Sequence, residues 1–342
     1  MGTVKMFFNR RKMTGIIILN WNGWEDTIAC LKSLYQIEKG DFFIVLVDNG
    51  SINDSVDHLS AWLKDEDKKH YILGQGETLD VNLQNKDCIL YCLKENYGFA
   101  KGNNYAIDLA RKYSPDYLLL LNNDTEVEAD FLWQLEAFIQ ANKEYKVLTP
   151  MIRYFYDKNK IWNCGGKLIF GLRKYYYGDD LASSIKEENF IPISLITGCA
   201  FFFPIDLIEN EKLFTEKYFF GEEDFDFSLR MQERGVKMAC VLSSQIYHKV
   251  GASTAKVNNL SKIYIHYLDR YMDVKAHFSP LKFYIWKNIY YVYIILLLIR
   301  RGFSIKKIAC FIKLLSKNHK IMDGVSQEYF SYVISHNIED IE

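Results

Sequence analysis

The chain has 342 residues, 49% hydrophobic and 25% charged, a balance that excludes a disordered or fibrous protein and allows one large domain with an appendage. A formal net charge of −1 supplies no global field for nucleic acid. The seven cysteines form no Cys-x-x-Cys pair or zinc-type spacing, which argues against a disulfide framework and fits a reducing, cytoplasmic setting.

Residues 1–13 are basic at Lys5, Arg10, Arg11 and Lys12 and lack the apolar core of a signal peptide, so they read as an extension. Gly15 to Asn20 is a short apolar run bounded by turn residues, which predicts a first buried strand. From Asp26, Ile28, Leu31, Leu34 and Tyr35 recur at helical spacing, and Gly40 ends that element. Phe42 to Val47 predicts a second strand, ending at Asp48-Asn49-Gly50-Ser51. Residues 64–87 are polar without a period and read as a loop insertion. Ile89 to Leu93 predicts a third strand, and the glycine-containing turn Glu95 to Asn104 opens a helix carrying Ile107 and Ala110. That turn is not Gly-x-Gly-x-x-Gly, so no dinucleotide fingerprint is present.

The stretch Tyr117 to Val127 is central: an apolar run suited to a strand buried on both faces stops abruptly at Asn122, Asn123 and Asp124. Ligands of open α/β sheets sit beyond the carboxyl ends of strands, so these side chains reach the mouth of a crevice. An Asx-rich turn before a helix cap uses the same residue types. A helix with Phe131, Leu132, Leu135, Phe138 and Ile139 on one face follows. Four strands alternating with helices predict a doubly wound α/β half. Beyond Val147 come shorter pieces: a segment with Thr197-Gly198, the acidic run Glu222 to Asp226 opening a helix stopped by Gly235, and a last strand, Val236 to Leu242, leading to His248.

Two groups of carboxylates, Asp124 and Glu222-Glu223-Asp224, therefore sit on different elements that can face one crevice. Transfer of a sugar from a nucleotide diphosphate needs a divalent cation for the leaving group, and Mg²⁺ or Mn²⁺ accepts an oxygen ligand such as Asp124. The attacking hydroxyl must lose a proton, for which Asp224 is the candidate base. A glycosidase would instead pair two carboxylates, one kept protonated. His248 offers an imidazole ligand, although a single histidine after a strand is also an ordinary structural residue. Asp48 suits a hydrogen bond to a base ring, and equally a turn. An acidic helix start is favoured by the dipole alone, but four acids in five residues exceed that need.

In order, Asn20-Trp21-Asn22-Gly23, Val47-Asp48-Asn49-Gly50-Ser51, Asn96-Tyr97-Gly98-Phe99, Asn122-Asn123-Asp124-Thr125, Thr197-Gly198, Phe220-Gly221-Glu222-Glu223-Asp224 and His248 resemble family 2 glycosyltransferases. They look most like the rhamnosyltransferase-like branch that builds surface polysaccharides. The resemblance implies a GT-A fold over 14–260, a Rossmann-like, mixed but mainly parallel sheet flanked by helices, and inversion at the anomeric carbon. It implies nucleotide-sugar contacts from Asn20, Asp48, Asn96, Gly98, Lys101, Asn104, Asn123, Thr197 and Gly198, with Asp48 at the nucleobase. Asp124 and His248 would be metal contacts for Mn²⁺ or Mg²⁺, Asp224 the base, and Glu223 the residue holding the acceptor. Asn122 stands where the family's Asp-x-Asp has its first acid, which leaves Asp124 as the strong ligand. The expected donor is a dTDP-, UDP- or GDP-sugar, and the expected acceptor a glycan or lipid-linked oligosaccharide. A silent sugar- or nucleotide-binding protein on the same fold is the alternative.

Phe283 to Ile299 is apolar except for Lys287 and Asn288, with an uninterrupted portion of 11 residues from Ile289, short of the roughly 20 needed to span a bilayer. Residues 300–320 carry seven Lys or Arg and no acid, with Ile305, Ile308, Ile312 and Leu315 on one face. The expectation is a helical region over 261–342 lying on an anionic membrane surface, which places the protein at the inner face of the cell membrane. The competing arrangement is a helical pair packed on the catalytic domain.

Overall fold

The computed structural model describes residues 12–176, 189–209, 211–250 and 260–341. Most of the basic extension, including Lys5, Arg10 and Arg11, lies outside them.

The first half alternates strands and helices: β1 (Met13–Asn20), α1 (Trp24–Tyr35), β2 (Asp41–Asp48), α2 (Ser55–Asp65), β3 (His70–Gly74), β4 (Cys88–Cys92), α3 (Gly98–Arg111) and β5 (Tyr117–Asn122). Short β6 (Thr125–Val127), α4 (Phe131–Ala141) and β7 (Tyr145–Tyr154) follow. Then come β8 (Ile161–Asn163), the hairpin β9 (Gly166–Ile169) and β10 (Leu172–Tyr175), β11 (Phe190–Ile193), β12 (Ala200–Pro204), α5 (Glu223–Glu233) and β13 (Lys237–His248). Four helices end the chain: α6 (Leu260–His277), α7 (Pro280–Arg300), α8 (Ile305–Asn318) and α9 (Gln327–Ser335).

The main sheet runs β11-β13-β7-β12-β5-β1-β2-β4-β3. β1 lies parallel between β2 and β5, so successive units wind outward in both directions from this point and open a crevice at the strand ends. The apolar run of β5 is buried because both its faces are covered. Leu118 and Leu120 enter one core with α3 and α5; Leu119 and Leu121 enter the other with α1, α2 and α4. Each such side chain contributes about 1.5–3 kcal/mol by leaving water. On its other edge β5 pairs antiparallel with β12, which makes the sheet mixed.

Three expectations need correction. Residues 64–87 are not simply a loop: α2 ends in them and β3 adds an edge strand parallel to β4. Only one face of β3 is covered, with Leu73 buried and Ile72 exposed, so it carries little of the apolar signal of a central strand. The last strand does not stop at Leu242 but continues to His248, through a register shift between Val241 and Gln245. At that irregularity Ser244 is buried and its hydroxyl donates to the Phe131 carbonyl at 2.9 Å, which explains polar residues inside a strand.

The third correction concerns the C-terminal region. The apolar helix α7 has 21 residues and is, among those described, the one helix long and apolar enough to cross a membrane. The apolar face of α8 is already used: Ile308, Phe311, Leu314 and Leu315 are buried in a third core with Tyr264, Leu268, Phe225 and Leu229. That core joins the C-terminal helices to α5, so this face of α8 packs inward toward the catalytic domain. Ile305, assigned to the same face, is instead 85% exposed.

Candidate active site

Asn20, the last residue of β1, is fully buried and joins three elements. Its amide donates to Asp48 Oδ2 at 2.8 Å and Ser51 Oγ at 3.3 Å, and its oxygen accepts from Thr27 Oγ1 at 2.9 Å. Thr27 accepts the Asn123 amide at 2.9 Å, and the same amide donates to the Gly23 carbonyl at 3.3 Å. Asp48 also accepts the Ser51 N–H at 2.9 Å and hydroxyl at 2.6 Å, which closes its own turn. An unbroken hydrogen-bond chain from Asp48 to Asn123 thus fixes the ends of β1, β2 and β5 against one another.

A second lock sits at the start of α3. Asn96 Oδ1 accepts from Asn49 Nδ2 at 3.0 Å and from the Gly98 N–H at 2.9 Å, while Asn49 Oδ1 accepts the Tyr97 N–H at 3.1 Å. Gly98 has φ +76°, and a Cβ there would collide with the Phe219 carbonyl oxygen, so the turn requires glycine. The Lys101 ammonium rests over the Tyr97 ring at 4.5 Å. Asn104 is turned into the fold, where it bonds both backbone groups of Phe214 and the Glu216 carboxylate. Asn104 and Asn123 therefore hold scaffold in this structure.

Just past β5, Asp124 Oδ1 lies 3.1 Å from His248 Nε2, at the end of β13. Both side chains are mostly buried, and the edge of the Trp162 ring flanks the imidazole at 4.4 Å between centroids. His248 Nδ1 is buried without a partner. A carboxylate oxygen and an imidazole nitrogen are both donor types that a divalent cation accepts. No group of three or more metal-binding side chains occurs among the described residues. Asp124 and His248 could therefore hold a divalent cation only together with further ligands that a bound substrate or water would supply.

The acidic run at the start of α5 divides into different roles. Glu222, with a left-handed backbone at φ +64°, is buried and clamped by Arg173 at 2.6 Å, by Arg270 at 3.1 Å through both Nε and Nη2, and by His266 at 3.5 Å. Burial pushes its carboxyl up, but the two guanidinium groups outweigh that and hold it well below the usual carboxylate range. Asp224 accepts the Gly198 N–H at 3.3 Å and lies 3.4 Å from Arg173. Burial raises its titration, Arg173 pulls it down, and Glu222 raises it again. Glu223 is raised by burial and then by Asp224, and its Oε2 is buried without a partner. Two adjacent carboxyls with unequal cationic support favour one ionised and one neutral group.

The two stations are linked through the loop before β12. The Cys199 carbonyl accepts the Asn122 N–H at 2.9 Å, while the preceding residue, Gly198, donates to Asp224. A Cβ on Gly198 would stand 3.7 Å from Glu223 Oε1 and 3.8 Å from the Phe99 ring. Thr197 is buried beside it. The strand ends, the Asn96 turn, the Gly198 loop and the start of α5 therefore converge. A concavity of about 1070 Å³ lies at the opposite, amino ends of the strands around Lys39, Glu136 and Lys146, away from these groups, so chemistry rather than cavity size marks this site. Arg173, Arg270 and His266 were not singled out from sequence, and Asn49 entered only as a member of the 47–51 motif. Arg173 lies in a stretch with no readable pattern, and nothing local in Arg270 tells that it faces a carboxylate 48 residues earlier.

The family model described as Glycosyl transferase family 2 matches residues 15–203, more than half of the chain. No curated protein matches the sequence. Among solved structures, the mannosyltransferase PcManGT from Pyrobaculum calidifontis, in complex with GDP-Man and Mn²⁺, is similar with a TM-score of 0.54 at 11% identity, covering 96% of this chain and 86% of that one. S. aureus TarS 1-349 is similar with a TM-score of 0.53 at 10% identity, covering 96% and 88%. A longer TarS structure aligns with a TM-score of 0.54 at 12% identity, and this chain spans 53% of it.

Proposed function

The chain belongs to glycosyl transferase family 2 and is a GT-A glycosyltransferase acting on nucleotide-sugars, and from that premise we propose that it inverts the anomeric centre of a hexose, rhamnose-like or other. The acceptor is a hydroxyl of a glycan or lipid-linked oligosaccharide. The observation that carries this reading is the convergence of Asp124 and His248 with the half-buried pair Glu223 and Asp224, bridged by Gly198 and Cys199.

Asp224, supported by Arg173, accepts the proton of the attacking hydroxyl as the new bond to the anomeric carbon forms and the bond to the diphosphate oxygen breaks. Glu223, held protonated, donates a hydrogen bond that orients the acceptor. Asp48, Asn20 and Ser51 shape the floor beneath the nucleobase, and Asn96, Gly98 and Lys101 line the approach to the donor. A divalent cation held by Asp124 and His248 would supply the positive charge that a departing diphosphate requires.

The test is a donor screen with UDP-, GDP- and dTDP-sugars, each with Mn²⁺, Mg²⁺ or chelator, reading nucleotide release and the anomeric configuration of product by NMR. GDP-mannose with Mn²⁺ belongs in it because the PcManGT structure contains that pair. Metal-dependent release of one nucleotide with inverted product is the expected result. Metal-dependent nucleotide binding without turnover of any donor would favour the silent binding protein.

A further inference from the structure

Helix α7 reverses the usual arrangement of a surface helix. Trp286, Tyr290, Ile294 and Leu298 are buried on one side, yet the opposite side is also apolar. Leu281, Ile285, Ile289, Val292, Leu296 and Ile299 recur at spacings of three and four residues and are between 47% and 72% exposed. Asn288, which interrupts this stripe, donates its amide back to the Tyr284 carbonyl at 2.7 Å. An uncovered apolar stripe of this length, about 27 Å at 1.5 Å per residue, is not the surface of a helix that faces water alone.

Its surroundings are cationic. Arg300 and Arg301 follow the stripe, and on the neighbouring α8 the side opposite Ile308, Phe311 and Leu315 exposes Lys306, Lys313 and Lys317. Lys306 approaches Glu339 at 3.9 Å and is 81% exposed, so that pair leaves its charge in solvent. We infer that α7 lies in the plane of an anionic membrane surface, with the Leu281–Ile299 stripe inserted among lipid chains and the α8 lysines on the headgroups. Within the C-terminal region expected at a membrane, this assigns the inserted face to α7 and the headgroup contacts to α8.

Insertion in the plane follows from what α7 holds on its other side. Tyr290 donates to the Tyr267 carbonyl at 3.1 Å and stacks on Trp286 at 4.2 Å. A Cβ on Gly171, at the tip of the β9–β10 hairpin, would meet Trp286 Nε1 at 2.7 Å, so hairpin and helix are in close contact. A helix crossing the bilayer would have to abandon these contacts. The same hairpin carries Arg173, which reaches Glu222 and Asp224, so it touches both the inserted helix and the acidic station. That proximity suits an acceptor whose lipid remains in the membrane.

The experiment is flotation of the full chain with vesicles of phosphatidylcholine alone or mixed with phosphatidylglycerol. Vesicle binding is read without turnover, so its outcome is separate from that of the donor screen. The wild-type protein is expected to float with the anionic vesicles and to be released by alkaline carbonate. Ile289→Glu combined with Leu296→Glu should reduce the bound fraction at least tenfold while leaving the thermal midpoint and nucleotide release unchanged. Lys306→Gln, Lys313→Gln and Lys317→Gln together should remove the preference for the anionic lipid. Wild-type protein that binds neither vesicle, or a glutamate variant that floats like wild type, would overturn the inference. Resistance to carbonate would replace it with a spanning helix. A dimer in sedimentation that the glutamate variant dissociates, without vesicle binding, would assign the stripe to a second copy.

Discussion

The two acidic stations of this protein handle charge in opposite ways. At Asp124 the fold supplies the His248 imidazole at 3.1 Å, and in the proposed reaction the further positive charge arrives with the substrate. At Glu222 to Asp224 the fold supplies its own cations, Arg173 and Arg270, buried and stacked over the Phe225 ring at 4.9 and 5.5 Å. The first arrangement suits a charge that comes and goes with a diphosphate; the second suits a group whose protonation must be set before substrate arrives. The difference teaches that the carboxylates alone do not define a role. What stands opposite them does.

The sharpest way to break the comparison is Asp224→Asn. If Asp224 is the pre-set base, kcat should fall about 10³-fold, about 4 kcal/mol in the barrier, while nucleotide affinity by calorimetry stays within about twofold. Retained turnover would remove Asp224 from that role. Glu222→Gln tests the internal cations, since it leaves two buried guanidinium groups without their counter-ion. A loss of about 3 kcal/mol of stability is expected from denaturant titration. The folded Glu222 carboxyl titrates below its ordinary value, so its contribution is complete above the ordinary carboxylate range and is lost only as pH falls into strong acid. The stability gap between wild type and the variant should therefore narrow in strong acid.

Asp124→Ala addresses the open station: kcat/KM should drop about 10²-fold, about 2.7 kcal/mol, and Mn²⁺ should no longer strengthen nucleotide binding. Unchanged metal dependence would place the cation elsewhere. The smallest effect is expected from Arg173→Met, which removes a group that lowers the titration of Asp224. Activity requires the ionised base and so rises with pH; without Arg173 the acidic limb of the kcat/KM profile should move to higher pH, with the plateau nearly unchanged. A limb that stays in place, with a lower plateau, would make Arg173 purely structural.

The sequence by itself determined β1, β2, β4 and β5, because apolar runs between turn residues signal buried strands and the pattern is local. It also located the polar residues at the strand ends, since a strand that stops at Asp-Asn-Gly-Ser or Asn-Asn-Asp can be read within a few positions. Only the tertiary structure decided what those residues face. Asp48 turned to its own Ser51 and to Asn20, Asn104 was drawn to Phe214, and Glu222 left the acidic crevice for two arginines 49 and 48 residues further from it in the chain. Asp124 and His248 meet because β6 pairs antiparallel with the end of β13, a contact invisible to any local period. In the C-terminal region both α7 and α8 read as apolar on at least one side. Which apolar side would be covered depended on how the helices crossed the catalytic domain, since burial is a property of neighbours rather than of spacing.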